Sequence, residues 1–86
     1  MAEISRFYGI VVSMYFDDHA PPHFHIRYQG YEALVTIEAK IIKGEMPGRA
    51  IKLVLEWLEL HQEELMQTWD LMQQEGKVQK IEPLSY

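Results

Sequence analysis

Three of the four histidines of this chain fall within seven consecutive residues, at His19, His23 and His25. Imidazole nitrogen is a common ligand of zinc and similar divalent ions, and three such ligands leave a coordination position open for water or substrate. The chain has no cysteine, so a metal could be held only by histidine nitrogen and carboxylate oxygen. The spacing therefore predicts a divalent-metal site, with zinc as one candidate ion, on these three histidines.

The same histidines have two other interpretations. They could hydrogen-bond to backbone carbonyl groups at a corner where Pro21 and Pro22 provide no N–H donors, with Asp17 and Asp18 capping the turn. They could also act as general acids or bases without a metal, because imidazole transfers protons near neutral pH. The sequence leaves the three interpretations open.

The elements that position this segment are predicted from its flanks. Residues 7–16 are rich in β-branched and aromatic types and alternate with period two, which is typical of a strand. Gly9 within them predicts a bulge or a close backbone approach. The two prolines predict a stiff, non-helical corner. Residues 23–29 alternate again, so both histidines of this second strand are predicted to lie on its polar side.

A hairpin is predicted next. Gln29-Gly30 favours a two-residue turn into a third strand at residues 31–39. Pairing Tyr28 with Tyr31 sets apolar residues opposite apolar residues along both strands. A slip by one residue would set the histidines opposite the apolar face instead, so this register is the one we expect.

In this register Arg27 lies opposite Glu32. Arg27 is predicted either to pair with that carboxylate or to hold an anionic group of a ligand. Together with Asp17 and Asp18, these two residues are predicted to form a functional surface around a rigid, outward-facing polar corner.

The second half of the chain has helical periodicity from residue 48 to residue 75. A straight helix of this length would measure about 40 Å at ~1.5 Å per residue. A domain of this size has a radius of gyration of only roughly 12 Å. The helix is therefore predicted to bend, to split near His61, or to extend onto a partner subunit, and residues 77–86 are predicted to form an extended tail.

These elements predict a single α+β domain over residues 1–86. Its antiparallel sheet would have three to four strands, the fourth at residues 41–43, packed against a long, bent or split C-terminal helix.

Charge and hydropathy argue against some partners. The formal charge of −5 repels a phosphate backbone unless basic groups gather on one face, so nucleic acid is not favoured. No stretch approaches the ~18 apolar residues of a membrane span, and no signal-peptide pattern opens the chain. We therefore expect a cytoplasmic protein with no membrane partner.

Several motifs are distributed over nearly the whole chain. They are Phe7-x-Gly9-Ile10, Met14-Tyr15-x-x-Asp18-His19-x-Pro21-Pro22-His23-Phe24-His25, Glu32-Ala33, Trp57-Leu58-Glu59-x-His61-x-Glu63-Glu64-Leu65-x-x-x-Trp69 and Ile81-Glu82-Pro83-Leu84. In these motifs the chain resembles bacterial domain-of-unknown-function family 4160. The resemblance implies a small protein encoded beside another small protein, in a two-gene arrangement of the toxin-antitoxin kind. It implies no activity, substrate or metal for any residue.

Two function classes follow. The first is an interaction component of a toxin-antitoxin-like two-gene system, with a small protein encoded nearby as its partner and with homodimer formation as a further option. The alternative is a small histidine-dependent hydrolase or nuclease, assisted by a metal at His19, His23 and His25.

Overall fold

The computed structural model describes residues 2–85. Its elements are β1 (Ala2–Phe7), β2 (Ile10–Met14), β3 (His23–Tyr28), β4 (Tyr31–Thr36), β5 (Ile42–Gly44), α1 (Gly48–Leu60) and α2 (Gln62–Glu75). The strands form one antiparallel sheet in which their spatial order is their order in the chain. The predicted α+β class is confirmed, but the sheet has five strands rather than three or four.

The predicted strand at residues 7–16 is two strands joined by a turn. Tyr8 and Gly9 have φ values of 49° and 82°, and positive φ at both central residues marks a type I′ turn. Phe7 and Ile10 pair across this turn and are both buried, so the core-facing positions change from odd to even numbers there. Because Tyr8 is itself aromatic, it extends the pattern of Ile10, Val12 and Met14 backwards, and the sequence pattern did not separate the two strands. Gly9 is therefore a turn residue, and the irregularity of this hairpin lies instead between Glu3 and Ser5.

The register of β3 and β4 is the predicted one, from Tyr28 opposite Tyr31 at the turn to His23 opposite Thr36 at the far end. β4 ends at Thr36 and not at residue 39. The Thr36 hydroxyl accepts a hydrogen bond from the N–H of Ile41 at 2.8 Å, and the Thr36 N–H donates to the Ile41 carbonyl at 2.9 Å. These two bonds close a turn that brings the chain back as β5.

The helical region divides at His61, whose φ and ψ are −123° and 23°. The N–H of His61 is shared between the carbonyls of Trp57 and Leu58, at 3.1 and 3.2 Å. The side-chain amide of Gln62 donates to the carbonyl of Ile37 at 2.7 Å, which fixes the start of α2 beside the end of the β3–β4 hairpin. The predicted split is thus present, and the Cα radius of gyration is 11.7 Å.

One face of the sheet packs against the helices and forms the core. Trp57 is at its centre, with ring centroids 5.3 Å from Phe7 and 5.7 Å from Phe24. Its indole N–H donates to the carbonyl of Glu82 at 2.8 Å, so the tail closes one side of the core. Among residues 2–85, no helix combines the length and the apolar character needed to cross a membrane.

Candidate metal centre

Asp18, His23 and His25 bring together, at one end of the sheet, three atoms that could bind a metal ion, and we call these residues the metal-binding group. Asp18 lies in the segment between β2 and β3, whereas the two histidines are two residues apart on β3 and therefore project from one face. One ligand atom from each residue lies within 4.8 Å of the other two. Asp18 Oδ2 is 2.9 Å from His23 Nε2 and 3.3 Å from His25 Nε2.

Backbone groups of the corner orient these side chains. Nδ1 of His23 lies 2.8 Å from the carbonyl oxygen of Pro21, which can only accept, so Nδ1 carries a hydrogen and Nε2 faces Asp18. The N–H of His19 donates to Asp18 Oδ1 at 2.8 Å. The second carboxylate oxygen is thereby left to face the two imidazoles.

Gln73 of α2 holds the segment that carries Asp18. Its side-chain oxygen accepts from the N–H of Asp18 at 2.8 Å, and its side-chain NH2 group donates to the carbonyl of Tyr15 at 3.0 Å. The Tyr15 ring in turn packs edge-on against His25, with centroids 4.3 Å apart. Gln73 was not among the predicted site residues, because it is separated from Tyr15 by 58 positions and no local sequence pattern marks it.

The environment of Asp18 favours its charged form. Burial by itself raises the pKa of this carboxyl, but hydrogen bonds from the His19 N–H and from His25, together with the positive charge of His23, lower the pKa below its ordinary value. Asp18 is therefore a carboxylate at neutral pH, which is the state that a metal ligand requires.

The structure does not bring all the predicted ligands together. His19 is exposed and its ring nitrogens are not part of the group, so Asp18 occupies the place that was predicted for a third imidazole. Asp17 is also exposed and outside the group, at a turn position with a φ of 60°. These two residues lie apart from the group because the chain reverses direction between β2 and β3, so that neighbouring side chains point in different directions.

His23 differs from the prediction in its burial. The corner was predicted to face outward, yet His23 is only 7% exposed. Its ring lies 5.2 Å from that of Trp69 on α2, centroid to centroid. The second helix therefore covers this end of the sheet, which the alternation of residues along β3 does not reveal.

Arg27 and Glu32 lie farther along the same face as His25. They are opposite each other in the sheet, but among residues 2–85 no ion pair joins them. Together with Lys43 of β5 they line a cleft of about 210 Å³ that has His25 on its wall. We call this the Arg27–Lys43 cleft.

A second hollow, of about 270 Å³, is lined by all three members of the metal-binding group. It shares His25, Leu34 and Lys43 with the Arg27–Lys43 cleft. The group therefore borders open space from which water or a substrate could approach.

A family model described as Domain of unknown function (DUF4160) matches residues 9–70. The chain belongs to this family. The matched range contains the whole metal-binding group and the cleft residues Arg27 and Lys43, whereas Gln73 lies beyond it. No curated protein and no solved structure matches the chain.

Proposed function

We propose that this DUF4160 protein is a small divalent-metal-dependent hydrolase whose metal centre consists of Asp18, His23 and His25. The proposal is carried by one observation, the convergence of a carboxylate oxygen and two imidazole nitrogens within 4.8 Å. Two histidines and one carboxylate are a ligand set of catalytic zinc sites, and they leave a position for water. A divalent ion in such a site lowers the pKa of its water toward ~7 and supplies hydroxide for hydrolysis.

The separations of the ligand atoms suit a metal ion. With bonds of about 2.1 Å, two ligands are about 3.0 Å apart at a right angle and about 3.4 Å apart at the tetrahedral angle. The two distances from Asp18 Oδ2, 2.9 Å to His23 Nε2 and 3.3 Å to His25 Nε2, lie close to these values. These two separations are therefore compatible with a shared ion, whereas the separation of the two histidine nitrogens is bounded only by 4.8 Å.

The hydrogen bond of His23 also supports the proposal. Histidines that bind metals usually donate their second ring N–H to a carbonyl or carboxylate, as Nδ1 of His23 does to Pro21. A proton and a metal ion compete for Nε2, which faces Asp18. Metal binding should therefore weaken as the pH falls.

Metal analysis of untagged protein tests the proposal. After equilibration with Zn²⁺ or Mn²⁺ and dialysis, we expect near-stoichiometric metal in the wild type and a large loss in Asp18→Asn, His23→Ala and His25→Ala. His19→Ala is the matched control, because it removes a histidine of the same segment from outside the group. A wild type that retains no metal, or a His19→Ala variant that loses it equally, would contradict the proposed centre.

The reaction class needs its own assay. Hydrolysis of model esters should require the added metal, stop with a chelator, and be absent in Asp18→Asn. The same ligand set also holds Fe²⁺ in oxygenases. Metal-dependent oxygen uptake without ester hydrolysis would therefore contradict the hydrolase while leaving the metal centre intact.

A second function, that of an interaction component in a toxin-antitoxin-like pair, is favoured by the exposed Phe16. This ring is 58% exposed and lies two residues before Asp18, so a protein that covers it would also reach the metal centre. The partner we propose is a small protein encoded by a neighbouring gene, which would meet this chain in the bacterial cytoplasm. A second copy of the chain is the alternative partner. Co-expression of the two genes should give a stable complex that Phe16→Ser weakens, and separate elution of two monomers would contradict it.

A further inference from the structure

We infer that the Arg27–Lys43 cleft binds a phosphate group, so that the substrates of the proposed hydrolase are phosphate esters. The inference rests on the proposed function for its reaction, but the phosphate site itself is a property of the cleft. The observation behind it is that two cations, Arg27 and Lys43, line the same cleft as His25, one of the proposed metal ligands.

The sheet register places these groups on one face. Ser13, His25, Leu34 and Lys43 form one row across β2 to β5, and Arg27 is two residues beyond His25 on β3. Neighbouring strands are about 4.8 Å apart and same-face residues on one strand about 6.7 Å apart. Arg27 and Lys43 therefore approach the space beside His25 from different directions, along the strand and across the sheet.

Neither cation has a strong partner in the protein. Among residues 2–85, the Arg27 guanidinium and the Lys43 ammonium take part in no hydrogen bond or ion pair, whereas Arg6 pairs with Glu3 and Arg49 donates to the Tyr28 hydroxyl. The chain as a whole carries a formal charge of −5. The cleft lining carries these two cations against one carboxylate, that of Glu32, so its net formal charge is positive although that of the chain is negative. Glu3 also interacts electrostatically with Arg27, without forming an ion pair with it.

The chemistry of these groups fits phosphate better than a carboxylate. A guanidinium donates two parallel hydrogen bonds to phosphate oxygens, and an ammonium contributes a compact charge. A tetrahedral phosphate has enough oxygens to meet Arg27, Lys43 and an ion at the adjoining metal centre at once. A carboxylate has only two.

Glu32 opposes an anion in the same cleft. It lines the cleft and lies opposite Arg27 on the neighbouring strand. Its carboxylate repels phosphate, and its attraction for Arg27 competes with phosphate for the guanidinium. Removal of this charge should therefore strengthen phosphate binding, whereas removal of either cation should weaken it.

The inference can be tested by titrating the metal-free protein with inorganic phosphate at constant ionic strength and monitoring the titration by NMR. We expect saturable binding that moves the signals of the cleft residues, with acetate binding more weakly. Arg27→Gln and Lys43→Gln should each raise the Kd about five- to tenfold, and Glu32→Gln should lower it about threefold. Lys52→Gln, which removes a positive charge from the exposed surface of α1, is the matched control and should leave the Kd unchanged.

The outcomes separate this inference from the proposed function. A wild type without saturable phosphate binding, or Arg27→Gln and Lys43→Gln variants that fold and bind like the wild type, would overturn the phosphate site. Phosphate binding that responds to these variants, in a chain that retains no metal, would overturn the hydrolase and leave the phosphate site standing.

Two further ligands identify the source of the phosphate. Tighter binding of thymidine monophosphate than of an oligothymidylate would assign small phosphate esters as substrates. Tighter binding of the oligothymidylate, lost in Arg27→Gln and in Lys43→Gln, would assign the phosphodiesters of single-stranded nucleic acid.

Discussion

The carboxylate of Asp18 is stabilised in its charged form by its immediate neighbours. Its pKa is lowered because hydrogen bonds from His19 and His25 and the charge of His23 outweigh the effect of burial. A carboxyl whose pKa is lower in the folded than in the unfolded chain adds stability above the unfolded value of the pKa. That stability is lost as the pH falls through the folded value.

This relation predicts a pH-dependent effect of Asp18→Asn in the metal-free protein. We expect the variant to lower the free energy of unfolding by about 1 kcal/mol at pH 5, where Asp18 is ionised. As the pH falls from 5 through the folded-state pKa of Asp18, the wild-type carboxyl becomes protonated as well, and the difference should shrink. Urea unfolding at pH 5 and at a series of lower pH values measures it, and a difference that stays constant would contradict the assignment.

Gln73 should affect the proposed metal centre although it is not one of the proposed ligands. Gln73→Leu keeps the size of the side chain but removes its hydrogen bonds to Asp18 and Tyr15. We expect metal affinity to fall about tenfold, the lower end of the range for supporting residues. Calorimetric titration measures the affinity, and Gln74→Leu, at an exposed neighbouring position, should leave it unchanged.

Some residues of the proposed metal centre could be predicted from the sequence. That His23 and His25 lie side by side was predictable, because residues two apart on a strand project from the same face. It was not predictable that Asp18, and not His19, would lie beside these two histidines. Both residues lie in an irregular segment, in which the direction of each side chain depends on the turns of the backbone. Gln73 was not predictable either, because only the packing of α2 brings it to this segment.

Gly44 shows how one element depends on a single backbone position. Its φ is +118°, and a Cβ there would lie 2.6 Å from the carbonyl oxygen of Glu32 and 2.8 Å from Cα of Ala33. Any side chain at Gly44 would therefore push β5 away from β4 and displace the neighbouring Lys43.

We predict that Gly44→Ala destabilises the protein by about 3 kcal/mol, through backbone strain and this clash. Gly30→Ala is the matched control, because Gly30 also has a positive φ, +85°, but nothing within 4 Å of an added Cβ. It should cost only about 1 kcal/mol. Thermal unfolding of both variants measures the difference, and equal costs would show that the clash is relieved elsewhere.

The strands were predictable where their patterns were regular. The register of β3 and β4 followed from alternation and from the turn between them. β1 was missed because Ile4 and Ser5, which are adjacent, are both buried at the irregularity of the first hairpin. Two successive buried residues break the alternation by which a strand is recognised.

The tail packs against the rest of the molecule although residues 77–85 form no helix or strand. Ile81 is 4% exposed, and its N–H donates to the carbonyl of Ile4 on β1 at 2.9 Å. The neighbouring Glu82 accepts the hydrogen bond of the Trp57 indole through its backbone carbonyl. The tail thus connects the edge of the sheet with the centre of the core.

We therefore predict that Ile81→Ala lowers the free energy of unfolding by about 2 to 4 kcal/mol. Glu82→Ala is the control, since it keeps the backbone carbonyl and removes only an exposed side chain; its effect should stay within about 0.5 kcal/mol. Chemical denaturation measures both. A tail that contributes nothing would give the two variants the same midpoint.

Overall dimensions were predictable from the sequence, because a rod of residues 48–75 is too long for a domain of this size. The division near His61 was predictable for this reason. The orientation of α2 after the division was not predictable, since the direction depends on Gln62 and Ile37, which are 25 positions apart. The burial of His23 under Trp69 follows from that orientation.

The position of Trp69 has a spectroscopic consequence. Its indole ring lies 5.2 Å from the imidazole of His23, and the emission of an indole responds to a positive charge that arrives beside it. The chain has one other tryptophan, Trp57, which is fully buried. If an ion at the proposed centre takes the place of a proton on His23, the charge beside Trp69 changes, and the fluorescence of Trp69 should change with it.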